Sequence, residues 1–253
     1  MKALILAAGY ATRLSPLTDS IPKMLLPLAG RPMLDYLLDR IREVEETEEI
    51  HLVTNTRFAP AFHEWAPKDV TVHDDGTVSN EDRIGAIGDL AFTIDRAGLE
   101  GDDVFVVAGD NLIGYSLPDY HDFWREKGGS AIAVYKVADR ALLSHYGVVE
   151  LDEDDRVIGL EEKPAKPKSK LAATAAYLYR AEHLELLPRY LAEGNPTDAP
   201  GNFLVWLHTR APVYGYRFSG DWHDIGDLAQ LLEADNELRE RAGLPTRAEY
   251  SLD

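Results

Sequence analysis

Two cations near the amino terminus, Arg13 and Lys23, stand ten residues apart and suit the binding of phosphate groups. The guanidinium of Arg13 is a planar, permanently charged fork that matches phosphate oxygens, and Lys23 adds a second, compact charge. Small residues separate Arg13 from the apolar run 3–7, and their backbone N–H groups can turn together toward an anion. The pattern therefore predicts a phosphate-binding loop after the first strand.

The charge distribution favours an anionic ligand for this loop. The chain of 253 residues has a net charge of −18, yet residues 1–31 contain four cations and one acid. A local positive region in an acidic protein is typical of a site for a small anion. The overall acidity argues against nucleic acid as a partner, because nucleic acid calls for a basic face.

Two common phosphate-binding patterns do not fit the loop. A P-loop needs G-x-x-x-x-G-K-[ST], and no such spacing follows Gly9. A dinucleotide fingerprint needs G-x-G-x-x-G, but positions 9, 11 and 14 hold Gly, Ala and Leu. The loop is therefore of another type, although a dehydrogenase stays among the alternatives.

An acid, Asp110, follows directly on the buried run 103–108 and the turn glycine Gly109. Open α/β sheets bind their ligands at the carboxyl ends of their strands, so this carboxylate is a candidate for the site.

Apolar runs and helical periodicity predict an α/β protein built around these positions. We expect Asp227 to cap the last predicted helix. The predicted strands are 3–7, 50–54, 70–73, 103–108, 131–137, 146–151, 157–162, 172–179 and 213–218. The predicted helices are 32–46, 58–65, one entered from the glycine-rich loop at 74–98, 118–127, 182–191, 203–209 and 228–241.

The opening stretch resembles the sugar-1-phosphate nucleotidyltransferases, also called nucleotide-sugar pyrophosphorylases, in the short form without a C-terminal β-helix. Their motif is L-x-x-G-x-G-T-R, followed about ten residues later by P-K. The chain matches it at Leu6, Gly9, Thr12-Arg13 and Pro22-Lys23. Ala11 replaces the second glycine, which predicts either a less mobile loop or an ordinary backbone angle at Ala11. The resemblance extends to about residue 241.

The resemblance implies a role for each matching residue on the nucleotide side. Arg13 is expected to contact the β- and γ-phosphates and Lys23 the α-phosphate, with Asp110 as the third catalytic residue. The implied nucleotide-binding residues are Leu6, Ala8, Gly9, Tyr10, Ala11 and Thr12 in the first loop, and Asp75, Gly76, Asn80, Gly85 and Ala86 in the later glycine-rich loop.

The resemblance also implies a metal site and a sugar-phosphate site. Asp110 matches an aspartate that ligates Mg²⁺ in the family, and Asp224, in a W-x-D-I-G motif, matches the second carboxylate on the metal. In an E-K-P motif, Glu162 is expected to hold sugar hydroxyls and Lys163 the sugar phosphate. The family often places a glycine and a threonine in the next strand; Thr174 is present, whereas positions 175 and 176 are alanine.

The fold that the resemblance implies is a Rossmann-like, mostly parallel sheet flanked by helices, with a smaller mixed β-sheet subregion that binds the sugar. We expect residues 1–253 to form one nucleotidyltransferase domain. Its nucleotide-binding half would be 1–137, its sugar-phosphate-binding half and C-terminal helix 138–241, and its tail 242–253.

The implied reaction joins a nucleoside triphosphate, with UTP or dTTP favoured, to a sugar-1-phosphate and releases pyrophosphate. Two alternatives stay open: a CTP-dependent cytidylyltransferase acting on phosphocholine or inositol phosphate, and a non-catalytic homologue that binds nucleotide sugars in a regulatory role. The cofactor expected is Mg²⁺.

Composition places the protein in a cellular setting. The chain has no cysteine and no apolar run as long as a membrane span, so we expect a cytoplasmic protein without a membrane partner. The sequence leaves the oligomeric state open, with a homo-oligomer among the expectations.

Overall fold

The structure is a computed structural model and describes residues 1–252. Its strands are β1 (Lys2–Leu6), β2 (Pro27–Leu28), β3 (Arg31–Pro32), β4 (Glu49–Thr54), β5 (Val70–Asp74), β6 (Val104–Ala108), β7 (Asn111–Ile113), β8 (Ser130–Lys136), β9 (Gly147–Leu151), β10 (Val157–Glu162), β11 (Leu171–Tyr179), β12 (Val213–Arg217) and β13 (Trp222–Asp224). Its α-helices are α1 (Met33–Arg42), α2 (Ala59–Trp65), α3 (Ala86–Ala97), α4 (Leu117–Lys127), α5 (Ala181–Leu184), α6 (Leu187–Ala192), α7 (Gly201–Leu207) and α8 (Leu228–Arg241).

Strand β1 lies at the centre of the parallel half of a nine-stranded sheet. It pairs in parallel with β6 on one side and with β4 on the other, and β4 pairs in parallel with β5. Its side chains alternate between two cores: Ala3 and Ile5 pack with α1, α2 and α4, whereas Leu4 and Leu6 pack with α3, α5, α6 and α7. Burial on both faces explains why the strand reads as an unbroken apolar run.

The other half of the sheet is mixed in direction. Strand β11 runs antiparallel to β6, β8 and β9; β12 lies parallel to β8, and β10 closes the edge as the hairpin partner of β9. A β-bulge interrupts β11 between Ala173 and Tyr177. The predicted α/β architecture, a mostly parallel sheet joined to a smaller mixed region, is confirmed.

Two short two-stranded sheets complete the topology, and one of them builds the site. Strand β7 pairs antiparallel with β13, so that Asn111 stands opposite Asp224. Helix α8 supports this pair, because its Leu231 and Ala234 pack in one cluster with Leu112 and Ile225.

Two helix predictions are wrong in extent. Helix α1 ends at Arg42 rather than at residue 46, where the acidic stretch that follows would oppose the negative carbonyl end of a longer helix. The predicted helix 182–191 is two short helices, α5 and α6. Pro188, which has no N–H group to continue the hydrogen bonds of α5, lies in the first turn of α6. No helix within residues 1–252 is long and apolar enough to cross a membrane.

Candidate active site

A cleft opens where the parallel strands β1 and β6 end, at Leu6 and Ala108. Two adjoining cavities form it: a larger compartment of about 380 Å³ and a smaller compartment of about 240 Å³. Five residues line both compartments and mark their junction: Arg83, Ala108, Asp110, Asp198 and Pro200. The cleft can therefore hold two ligands that meet beside Asp110.

Lys23 reaches this junction from a buried position. It begins a single 3₁₀ turn, and only 8% of the residue is exposed. Its ammonium donates hydrogen bonds to Asp110 Oδ2 at 2.5 Å and to the carbonyl oxygen of Ile225 at 2.9 Å. The lysine therefore ties the end of β6 to the segment that follows β13.

Asp110 and Asp224 are brought together by the β7–β13 pair. Asp110 precedes β7, Asp224 ends β13, and the Ile225 N–H donates to the Asp110 carbonyl oxygen at 3.1 Å. Burial, and after it the Asp110 carboxylate, raises the pKa of Asp224 to about 6. The two carboxylates repel each other, and a cation between or beside them would offset this repulsion.

These two carboxylates fit a hard divalent cation that takes few protein ligands. No group of three or more His, Cys, Asp or Glu side chains within residues 1–252 has the arrangement of a complete metal site. A cation held by Asp110 and Asp224 would thus draw its remaining oxygens from water and from a phosphorylated ligand, as Mg²⁺ commonly does.

Arg13 lies beside the same carboxylates. A Cβ atom built at Gly226 would lie only 3.3 Å from Arg13 Nη2, so a glycine at 226 allows the close approach of the guanidinium. The positive charges of Lys23, Arg13 and Lys163 all lower the pKa of Asp224, against the larger effects of burial and Asp110. The structure therefore gathers the three predicted cations around the two predicted metal ligands.

The first loop contributes backbone and small side chains to the smaller compartment. Leu6, Ala8 and Gly9 line it, whereas Tyr10, Ala11 and Thr12 lie outside its lining. Ala11 has a φ of 48° and a ψ of 39°, which is the left-handed region. The expectation of an ordinary backbone angle there is therefore wrong: alanine adopts the conformation that the glycine of the motif would adopt more easily.

The second loop contributes three of its five predicted residues to the smaller compartment, namely Asp75, Gly85 and Ala86. Gly76 has a φ of 82° and lies outside the lining. Asn80 is also outside the lining, and its Oδ1 accepts a hydrogen bond from Arg83 Nη1 at 3.2 Å.

Gly85 holds the second loop against the segment before α7. Its φ is 80°, and a Cβ atom there would lie 2.5 Å from the carbonyl oxygen of Thr197. The same oxygen accepts a hydrogen bond from the Ile87 N–H at 2.9 Å. Only glycine allows the backbone at residue 85 to come this close to Thr197. The contact places Asp198 at the junction of the two compartments.

The larger compartment contains the predicted sugar-phosphate residues Glu162, Lys163 and Thr174. Burial raises the pKa of the Glu162 carboxyl, and Glu162 Oε2 lies close to Gly147 and Gly201, where any Cβ would come within 3.0 Å of it. The Lys163 side chain is exposed to solvent. The Thr174 hydroxyl donates to the Ala133 carbonyl oxygen at 3.0 Å, so only its acceptor capacity remains for a ligand.

Several lining residues were not predicted from the sequence. Trp222 lies two residues before Asp224 on β13, and strand alternation puts both on the same side. Asp89 lies four residues after Gly85, one helical turn along α3, and this spacing could have placed it on the face toward the compartment. Arg83 is flanked by two predicted residues but carries no motif of its own, and Asp198 has no sequence signal.

Comparison with known proteins agrees with this geometry. The family model described as Nucleotidyl transferase matches residues 2–241. A glucose-1-phosphate thymidylyltransferase of Mycolicibacterium smegmatis is 35% identical over 244 residues, covering 94% of this chain and 82% of that protein. A UTP–glucose-1-phosphate uridylyltransferase of Synechocystis sp. is 29% identical over 253 residues, covering 92% of this chain and 62% of that protein.

A solved structure of UDP-glucose pyrophosphorylase complexed with UDP-glucose shares the fold. It superposes with a TM-score of 0.80 at 22% sequence identity, covering 95% of this chain and 98% of that one. The resemblance read from the opening motif is thereby confirmed, and the chain belongs to the nucleotidyl transferase family.

Proposed function

We propose that this protein joins a nucleoside triphosphate to a sugar-1-phosphate, giving a nucleotide sugar and pyrophosphate. The observation that carries the proposal is the cleft of two compartments that meet at Asp110, with Lys23 hydrogen-bonded to that carboxylate. The relatives named for uridylyl and thymidylyl transfer favour UTP or dTTP over CTP as the nucleotide. The absence of cysteine suits the reducing cytoplasm as its location.

In this proposal the two halves of the chain bind different substrates. The triphosphate occupies the smaller compartment, built mainly from residues 1–137, and the sugar phosphate occupies the larger one, built mainly from 138–241. Glu162 accepts hydrogen bonds from sugar hydroxyls, and Lys163 pairs with the sugar phosphate.

The chemistry needs no general base. The second pKa of a phosphate monoester is about 6, so the attacking oxygen is already ionised at neutral pH. That oxygen forms a bond to the α-phosphorus while the bond from the α-phosphorus to the bridging oxygen of the β-phosphate breaks, and pyrophosphate leaves with the electron pair. The protein must bring two polyanions together in line, which can contribute on the order of 7–11 kcal/mol to the barrier reduction.

Charged residues at and beside the junction supply the electrostatic stabilisation. Lys23 contacts the α-phosphate and Arg13 the β- and γ-phosphates, so that positive charge faces the leaving group. Asp110 and Asp224 would hold Mg²⁺, which supplies Lewis-acid stabilisation of the phosphate oxygens when it is bound.

Pyrophosphate release tests the proposal. We expect release with UTP or dTTP and a hexose-1-phosphate in the presence of Mg²⁺, when ATP, CTP, GTP, UTP and dTTP are each tried against sugar and alcohol phosphates. Asp110→Asn should abolish turnover, and Asp122→Asn, an exposed acid on α4, should not. Silence of the wild type across the panel would contradict the proposal, and binding of a nucleotide sugar without turnover would point to a regulatory protein.

A further inference from the structure

The charges that line the smaller compartment are mostly negative, although a triphosphate is to bind there. Four carboxyl groups line it, from Asp75, Asp89, Asp110 and Asp198, although burial favours the neutral form of Asp89 by raising its pKa. Arg83 is the single Arg or Lys in that lining among the residues that the structure describes. A polyanion in this chamber therefore needs a metal ion, a cation reaching in from outside the lining such as Lys23, or Arg83.

Arg83 is also the one cation that belongs to both compartments. The larger compartment has Arg83 and Lys163 in its lining, and the five residues at the junction include Arg83 but not Lys163. The bond between the two substrates must form at this junction, because each substrate reaches it from its own chamber. Arg83 thus lies where the charge of two phosphate groups is greatest.

The loop that carries Arg83 is held by its own hydrogen bonds. Asp82 accepts from the backbone N–H groups of Val78 and Ser79, at 3.1 and 2.8 Å, and from the Ser79 hydroxyl. After Arg83 the chain is fixed again at Gly85 by its contact with Thr197. The arginine therefore extends from a backbone anchored on both sides, which lowers the entropy lost when it binds a ligand.

The guanidinium has donors to spare. Nη1 donates to Asn80 Oδ1 at 3.2 Å, and within residues 1–252 the side chain makes no ion pair. Arginine has five N–H donors in a fixed fork, so most of them remain for phosphate oxygens. Asn80, a neutral side chain, orients the group without neutralising its charge.

We propose that Arg83 is a catalytic residue that contacts both the α-phosphate of the triphosphate and the phosphate of the sugar. This proposal rests on the function proposed above. Arg83 keeps its proton throughout. It offsets the repulsion between the two phosphates as the new P–O bond forms and the bond to the leaving pyrophosphate breaks.

Steady-state kinetics of Arg83→Gln test the assignment. With UTP, glucose-1-phosphate and Mg²⁺, we expect kcat/KM for each of the two substrates to fall by about 100-fold or more, as when one donor to a developing charge is removed. Arg83→Lys keeps the charge without the fork and should lose less. Arg96→Gln, an exposed arginine on α3, is the matched control and should behave as wild type. All three variants should keep the thermal midpoint, because both side chains are exposed.

Calorimetric binding of UDP-glucose separates this inference from the proposed function. This product carries its two phosphates across the junction, and its Kd should rise by at least tenfold in Arg83→Gln. Values of kcat/KM and Kd within threefold of wild type would overturn the inference, and a loss confined to one substrate would restrict Arg83 to one compartment. If the wild type binds UDP-glucose but releases no pyrophosphate, the proposed function fails while the contact made by Arg83 is still tested by the Kd.

Discussion

The ammonium nitrogen of Lys23 lies 2.5 Å from Asp110 Oδ2, and it holds that carboxylate from the buried side of the junction. The positive charge of Lys23 thus offsets the charge of Asp110 in the free protein. This pairing allows the carboxyl groups of Asp110 and Asp224 to lie side by side without a substrate. The second hydrogen bond of Lys23, to the Ile225 carbonyl oxygen, extends the tie to β13, so one side chain both positions the site and stabilises the fold.

Removal of Lys23 should therefore affect stability as well as turnover. We expect Lys23→Met to lower the free energy of unfolding by about 1–3 kcal/mol, less than for a fully buried pair because the Asp110 side chain is 23% exposed. The double variant Lys23→Met/Asp110→Asn should recover part of this loss, since no unpaired carboxylate remains. Urea denaturation of the two single variants and the double variant measures the coupling. Strictly additive losses would contradict it.

Asp89 should make stability depend on pH. Burial, and after it the Asp75 carboxylate, raises the pKa of Asp89 to about 8, so folding favours the protonated acid. The stability that the protonated Asp89 contributes is complete below the pKa of the aspartate in the unfolded chain, near 4. It is lost as the pH rises toward 8, the pKa in the folded protein. Asp89→Asn, which mimics the neutral acid, should therefore be more stable than wild type at pH 7, by on the order of 2–4 kcal/mol.

Thermal unfolding from pH 4 to pH 8 checks the Asp89 prediction. The advantage of Asp89→Asn should shrink toward zero at the acid end. Asp95→Asn, an exposed acid on the same helix, provides the comparison, and equal pH profiles for both variants would rule out the burial argument.

Two neighbouring histidines, His51 on β4 and His73 on β5, should make the protein less stable as the pH falls, which is opposite to the effect of Asp89. His51 Nδ1 lies 3.0 Å from His73 Nε2, and burial lowers the pKa of His51 and takes that of His73 to about 4. The folded protein thus favours neutral imidazole rings. The stability contributed by this pair is complete above pH 6.5 and falls as the pH drops toward 4. His73→Gln should reduce that fall by on the order of 1–2 kcal/mol in acid titrations. The exposed His63→Gln should leave it unchanged.

Ala175, in the bulge of β11, should be improved by glycine. Its φ is 52°, a conformation that costs an L-residue roughly 1 kcal/mol, whereas glycine adopts it freely. We expect Ala175→Gly to stabilise the fold by at most about 0.6 kcal/mol, because the added entropy of the unfolded chain cancels about 0.4–1 kcal/mol of the relieved strain. Ala176→Gly, its buried neighbour at an ordinary angle, should destabilise instead. Chemical denaturation of the two variants measures both free energies of unfolding. If both variants are less stable than wild type, the argument from strain at Ala175 is refuted.

The limits of prediction from sequence follow from how far apart the interacting residues are in the chain. The apolar run of β1 is a local pattern, and the sequence predicts this strand to within one residue of its observed bounds. The bond between Lys23 and Asp110 spans 87 residues, and only the pairing of distant strands creates it. The backbone angle of Ala11 could not be decided from the sequence, because the motif has a glycine at this position whereas alanine rarely adopts positive φ.

The proposed site also combines residues in local motifs with residues positioned by distant contacts. Residues that carry a motif, such as Glu162 and Lys163, do line the cleft. Arg83 and Asp198 lie on loops whose course is set by the contact between Gly85 and Thr197, and a single sequence does not reveal such a contact.

That contact has a consequence for anyone who wishes to redesign the substrate range. Residues 75–85 border the smaller compartment, and the stretch 195–200 borders both compartments. The two stretches meet at the carbonyl oxygen of Thr197, so neither can be exchanged independently of the other. Grafting either one alone from a relative should disturb the other, and changes in base and sugar preference should prove strongly non-additive. Libraries for new activities should therefore vary residues 75–85 and 195–200 as one unit.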